Sequence, residues 1–159
     1  MLRQENMDMV WDRPDAHIVT IRAQDDEIDE LGHVNNAAYV RWLERCAWDH
    51  SRKLGLGLAE YRQLDRAMVV LRHEIDYLNA AYSGDEVLVG TWLVETDGRL
   101  RLAREFQMIR ASDQITLLRA RSTFVCIDLS SGKARRMPPE FVQIYGQAVQ
   151  KNTVPSITG

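Results

Sequence analysis

The sequence predicts an α+β domain in which one long helix is wrapped by a curved antiparallel sheet of about five strands. Three observations carry that expectation. Apolar residues recur at helical spacing from Asn36 to about Leu54 (Tyr39, Leu43, Cys46 or Ala47, His50, Leu54), and from Ala67 onward the period changes to two. Val40, Trp42 and Trp48 add apolar surface elsewhere around the helix, so it is covered on several sides. The breaks between the later segments are short turn signals, which join antiparallel neighbours.

The elements follow in order. Residues 1–15 read as a flexible leader ending near Pro14, residues 16–150 as a single domain, and residues 151–159 as a frayed tail. From His17 to Arg22 the alternation is that of a strand. The acidic stretch Asp25 to Glu30 reads as a loop. Gly32 and the pair Asn35-Asn36 announce the helix, since Asn is a favoured N-cap, and Gly55 and Gly57 end it. Four strands are then expected over residues 67–78, 86–95, 100–110 and 115–128. Ser83-Gly84-Asp85, Asp97-Gly98, Ser112-Asp113 and Ser130-Ser131-Gly132 punctuate them as an antiparallel meander. Pro138-Pro139-Glu140 opens a short final helix through about Val149. No internal repeat interrupts this order. The edges of such a sheet are natural dimer contacts.

Composition excludes some function classes. A chain of 159 residues fits one domain, which buries roughly 70% of its unfolded surface and needs neither disulfide nor metal to fold. A net charge of −3 provides no basic field for nucleic acid. The cluster Lys133-Ala-Arg135-Arg136 suits a small phosphate ligand better, because guanidinium pairs match phosphate geometry; a solvated basic loop is the alternative. Cys46 and Cys126 are too few and too far apart for a disulfide framework, which points to a reduced, cytoplasmic setting. No run approaches the roughly 18 apolar residues of a membrane helix. The four His and two Cys show no metal-ligand spacing, so no metal site is expected. His50 lies on the apolar stripe of the helix and reads as a core histidine, Cys46 reads as core, and the facing of Ser122 and Thr123 stays open.

The densest chemical signal is Asp29-Glu-Leu-Gly-His-Val-Asn-Asn36. A carboxylate sits seven residues before a helix N-terminus, with His33, Asn35 and Asn36 between them. Unpaired amides and the dipole at such a terminus stabilise an oxyanion. A carboxylate beside them acts as general base or nucleophile. Spacing alone leaves a second reading, an elaborate cap with its acid placed for the dipole. By spacing, Tyr39 and Trp42 read equally as core, and Glu44 as an ion-pair partner.

The run from Asp29 through Tyr39 and Trp42 to Glu44 resembles the signature of the 4-hydroxybenzoyl-CoA thioesterase-like hotdog family, and its His-Val-Asn-Asn variant resembles fatty acyl-ACP thioesterases. The similarity extends through Glu74-Ile-Asp-Tyr77, Gly84-Asp85 and Cys126-Ile-Asp128 to Arg136-Met-Pro138, over roughly residues 16–140. The resemblance implies a hotdog fold and an acyl-CoA thioesterase, at least dimeric (homodimer or homotetramer), with its site at the dimer seam and the acyl chain between the central helix and the sheet of a partner subunit. It implies Asp29 as nucleophile or activator of water, Asn36 as the amide that polarises the thioester carbonyl, and His33 as a third catalytic group. Gly32, Asn35, Tyr39, Arg135 and Arg136 are the expected substrate-binding positions. CoA is part of the substrate, and no cofactor is expected. Asn36 stands where other branches of the family have Tyr or His, and three further positions depart from the pattern: Glu27 stands where an Asp is common, Leu31 where the acyl-ACP branch has Asn, and Ala80 where it has an acid. These losses favour an Asp-centred mechanism. The alternatives are an acyl-ACP thioesterase, an enoyl-thioester hydratase on the same fold, and a non-catalytic acyl-thioester-binding protein.

Overall fold

The structure is a computed structural model that describes residues 10–150. Its strands are β1 (His17–Arg22), β2 (Arg66–Tyr77), β3 (Glu86–Thr96), β4 (Arg101–Arg110) and β5 (Thr116–Asp128). Its helices are α1 (Asn36–Lys53), α2 (Leu58–Leu64) and α3 (Pro139–Ala148). The expected fold class holds, and the expected long helix and five strands lie within a residue or two of their sequence bounds. The acidic stretch, expected as a loop, contains a 3-10 turn at Asp25–Glu27. α2 was not anticipated: seven residues offer too few apolar positions for a periodic signal, and it ends at Asp65 with φ of 53°.

All pairings are antiparallel, in the order β1-β3-β4-β5-β2. The expected meander is therefore correct for β3, β4 and β5 and wrong for β2. β2 pairs with β5, from Arg66 opposite Asp128 to Tyr77 opposite Leu118, and forms an edge. The Ser83-Gly84-Asp85 turn does not close a β2–β3 hairpin. It bonds back to the end of β1, through Gly84 N to Ala23 O at 2.9 Å and Ala23 N to Asp85 O at 2.9 Å. The connection of eight residues between β2 and β3 is a crossing from one edge region to the other.

α1 starts where the Asn35 side chain accepts the Ala37 amide at 2.8 Å. It ends with His50, Arg52 and Lys53 in the last turn, the favourable sign for the dipole. Its buried residues Ala38, Tyr39, Trp42, Leu43 and Cys46 pack on Val87, Val89, Phe106, Met108 and Leu118. Each large apolar side chain so buried contributes about 1.5–3 kcal/mol. A second core, with Tyr61 of α2, Leu93 of β3 and Phe141 and Tyr145 of α3, closes the other end.

Residues 10–15, the end of the expected leader, pack on the outer face of the sheet. Trp11 is buried and meets Trp92 edge-on at 5.9 Å. Gln107 accepts the Asp12 amide at 2.8 Å and donates to Val10 O at 3.1 Å. The remainder of the leader and the expected tail, residues 151–159, lie outside the described residues. No helix among the described residues is long and apolar enough to cross a membrane.

Candidate active site

The Asp29 segment is a closed loop. Asp29 N donates to His33 O at 2.7 Å, Gly32 N to Asp29 O at 3.0 Å, and Asn35 N to Glu27 O at 2.7 Å. Gly32 has φ of 80°, the left-handed conformation that makes glycine the fitting residue in this turn. The Asp29 side chain folds back on the loop, where Oδ1 accepts the amides of Leu31 at 2.9 Å and His33 at 3.2 Å. Among the described residues, Oδ2 accepts no hydrogen bond. The carboxylate is half-buried.

The loop ends at the head of α1. The Ala37 amide is taken by Asn35 Oδ1, and the Ala38 amide by Asn35 O at 2.9 Å. The Asn36 amide has no acceptor among the described residues. The His33 ring is half-buried and meets Tyr82 edge-on at 5.4 Å. Tyr39 lies beneath, 4% exposed, with its hydroxyl accepting the Ala81 amide at 3.1 Å.

Four supports carry no signal in the sequence. Glu27 Oε2 accepts the Trp42 indole N–H at 3.0 Å and ties the loop to α1. Ser83 donates to Asp25, and Val34 N donates to Ala81 O at 2.8 Å. Arg110 braces the loop beneath, at Asp85 (3.2 Å) and Ala80 O (2.5 Å), with its guanidinium over the Tyr82 ring. Each depends on residues far apart in sequence.

The structure thus brings together Asp29, Gly32, His33, Asn35 and Asn36, with Tyr39 below. It places Arg135 and Arg136 elsewhere. Arg135 N bonds to Cys126 O at 3.0 Å and its guanidinium to Asp128 Oδ2 at 3.0 Å, beside the first residue of β2; Arg136 is exposed. The Asp29 loop rests on Ala81, beyond the last residue of β2. At roughly 3.3 Å per residue, about 35 Å of strand separates the two.

A cavity of about 330 Å³ opens between α1 and the concave face of its own sheet. Leu43, Ala47, Trp48, Leu102, Phe106 and Phe124 give it an apolar wall. Its size falls within the range of small-molecule sites. Asp29 and Asn36 are not in its lining. Leu43 lies seven residues along α1 from Asn36, about 10 Å at the helical rise.

The far end of the cavity is polar. Ser51 Oγ and Tyr145 Oη lie 2.7 Å apart, and the Tyr145 and Tyr61 hydroxyls 2.5 Å apart. Burial raises the pKa of both tyrosines. Arg104, 2% exposed, donates Nη1 to His50 Nδ1 at 2.7 Å. His50 stacks on His17 at 4.7 Å, and His17 Nε2 donates to Asp49 at 2.7 Å. Burial, and then the neighbouring Arg104 charge, pushes the His50 pKa down to about 3. His50 is thus the neutral, hydrogen-bonded core histidine the stripe suggested. Ser122 turns inward, 2.6 Å from His73 Nδ1. No motif in the sequence marks Arg104. Its signal was a charge between Leu102 and Phe106, at an inward position of a period-two strand.

The family model described as the thioesterase-like superfamily matches residues 22–144. Over 134 residues the chain is 28% identical to the long-chain acyl-CoA thioesterase FadM of Escherichia coli (strain K12), covering 82% of this chain and 97% of that protein. A Staphylococcus aureus protein solved in complex with CoA aligns with a TM-score of 0.77 at 19% identity, covering 89% of this chain and 90% of that one. A 1,4-dihydroxy-2-naphthoyl-CoA thioesterase from Synechocystis aligns with a TM-score of 0.73 at 19% identity, covering 83% of this chain and 96% of that one. The family match takes in the Asp29 loop, α1 and the whole sheet from β2 to β5. The chain belongs to the thioesterase-like superfamily and has its hotdog fold.

Proposed function

We propose that the protein hydrolyses an acyl-CoA thioester to a free acid and CoA, with Asp29 as the attacking or water-activating carboxylate. The observation that carries this reading is the posture of Asp29. Two loop amides hold one carboxylate oxygen, and the other accepts nothing among the described residues, at the head of a helix whose Asn36 amide is unclaimed. Family membership and the names of the relatives support the reaction class.

In the proposed step the thioester carbonyl oxygen accepts the Asn36 N–H. The α1 dipole stabilises the oxyanion that develops there. Asp29 either adds to the carbonyl carbon, giving a mixed anhydride that water cleaves, or takes a proton from water that adds instead. The C–S bond breaks and CoA leaves as a thiolate, which is then protonated. A thiol is acidic enough to leave without a strong general acid. His33, beside the carboxylate, orients the water. The substrate brings its own CoA, and the step needs no further cofactor.

We place the acyl chain along α1 toward the cavity, against the sheet of the same subunit rather than that of a partner. Arg135 and Arg136 lie too far from Asp29 to serve the same site within one subunit. In a homodimer, the partner's basic cluster would meet the CoA phosphates.

Asp29→Ala tests the proposal. Turnover of a good acyl-CoA substrate should fall by at least a thousandfold with the urea-unfolding midpoint unchanged. Near wild-type hydrolysis by that variant would end the assignment. Hydration of crotonyl-CoA without thiol release would transfer the protein to the hydratases.

A further inference from the structure

The cavity holds a charge that thioester hydrolysis does not use. Arg104 projects from β4 between Leu102 and Phe106 into a mainly apolar space. A guanidinium remains protonated in proteins and carries five N–H donors. Its burial is costly unless an anion meets it. No carboxylate pairs with Arg104 among the described residues. Its hydrogen bond there runs to His50 Nδ1, a neutral acceptor. Arg66 Nε is the one buried side-chain nitrogen or oxygen without a partner among the described residues, so the rest of the Arg104 fork is not sealed off and opens on the cavity it lines.

The arrangement is not a displaced ion pair. Glu44 supplies the cavity lining with a carboxylate, but its side chain is exposed and no bond joins it to Arg104. Arg104 is tied to His50, six residues further along α1, about 9 Å at the helical rise. The cavity is thus mainly apolar, with His73 and the exposed Glu44 also on its lining and a buried cation at the end remote from the Asp29 loop.

We propose that Arg104 is a specificity residue that receives a carboxylate at the far end of the acyl chain, so that the preferred substrates are CoA monothioesters of dicarboxylic acids. The inference rests on the thioesterase reading and names its substrate class. The planar fork of Arg matches a carboxylate with two parallel hydrogen bonds. A site with a desolvated cation discriminates strongly, because a neutral chain leaves the guanidinium unpaired. At the roughly 30 Å³ that a water occupies, the cavity takes about ten non-hydrogen atoms, enough for the distal part of a chain and its carboxylate. His50 lies fourteen residues beyond Asn36, about 21 Å along the helix, so a chain seated at both ends is long.

The test pairs adipoyl-, suberoyl-, sebacoyl- and hexadecanedioyl-CoA with the uncharged acyl-CoA of equal length, and takes the ratio of kcat/KM within each pair. The wild type should favour the carboxylated member at least tenfold at the best length. R104M should bring that ratio to about one, and R104K should retain part of it. A wild type that favours the neutral member at every length overturns the inference, and so does an R104M variant with an unchanged ratio. Should R104M fail to fold, the wild-type ratio and R104K decide. If no thioester is cleaved, the thioesterase reading fails by itself, and calorimetry with free sebacate decides the inference. Binding that R104K weakens upholds it, and absence of binding overturns it.

Discussion

Lowering the pH from 7 to 5 should destabilise the fold through a single ring, His50. Burial and then the Arg104 charge push its pKa down to about 3, against an ordinary 6.5. In the folded chain the ring stays neutral as the pH falls, because Nδ1 accepts from Arg104. In the unfolded chain it takes up a proton below 6.5. The unfolded state then binds more protons, so stability is present above 6.5 and is lost as the pH falls from 6.5 toward 3. At pH 5 the unfolded ring lies about 1.5 pH units below its pKa, which corresponds to about 2 kcal/mol at 1.4 kcal/mol per unit. His50 is only partly buried, and water screening halves this to about 1 kcal/mol. The assay is urea unfolding at both pH values for the wild type and His50→Gln, which keeps an acceptor for Arg104 and does not titrate. The wild type should lose about 1 kcal/mol more than the variant. Asp49, held below the usual carboxylate range by its hydrogen bond with His17, loses its contribution only at lower pH and is common to both proteins. Equal losses in the two proteins would refute the reasoning.

Other parts of the fold respond to other probes. Cys46 and Cys126 are buried, and burial pushes their thiols up to about 12 and about 11. Neither should react with an aromatic disulfide reagent until the chain is unfolded, and fast labelling of the native protein would contradict that packing. A Cβ at Gly90 would sit 2.5 Å from the Trp11 ring. Gly90→Ala should therefore cost about 1–3 kcal/mol by urea titration, and a neutral result would show that residues 10–15 do not hold the outer face. Glu27→Ala leaves the Trp42 indole N–H without its acceptor and unties the loop from α1. It should cost about 1–3 kcal/mol and lower kcat with little change in KM; full activity would show that Asp29 is positioned without it.

The fold was legible where the signal is local. The Asn35 cap, the helical period through α1 and the switch to period two need only neighbouring residues, and the structure follows them closely. The order of the sheet was less legible. Turn chemistry says that a chain reverses but not which strand it returns to, and Ser83-Gly84-Asp85 turns back onto β1. The site divides in the same way. Asp29, His33 and Asn36 stand within eight residues, so one loop gathers them. Arg104, His50, Ser51, Tyr61 and Tyr145 come from β4, α1, α2 and α3, and only packing joins them. Glu27 illustrates the limit. Read as a departure from a family pattern, it serves as the bond between the loop and Trp42, and no spacing rule contains that contact.

The free edge of β2 leads to the last prediction. β2 pairs with β5 on one side only, and at Leu71 the register slips between Val70 and Arg72. Val70, Leu71, Tyr77 and Leu78 are large apolar residues left 41%, 51%, 46% and 46% exposed along it. An unpaired edge with apolar side chains is a template for another strand, and a second copy of the chain offers the same edge, so a dimer across β2 is the expected outcome. Burying a Leu is worth about 1.5–3 kcal/mol, and a two-fold contact counts it twice. Leu71→Lys should therefore weaken a dimer by about 3–6 kcal/mol, or roughly a hundredfold to ten-thousandfold in dissociation constant. Sedimentation equilibrium reads that shift directly. If the basic cluster of each subunit serves the Asp29 of the other, kcat/KM should fall as the variant is diluted and recover as it is concentrated. A wild type that sediments as a monomer at working concentration, and is fully active there, would refute both the edge contact and the shared site.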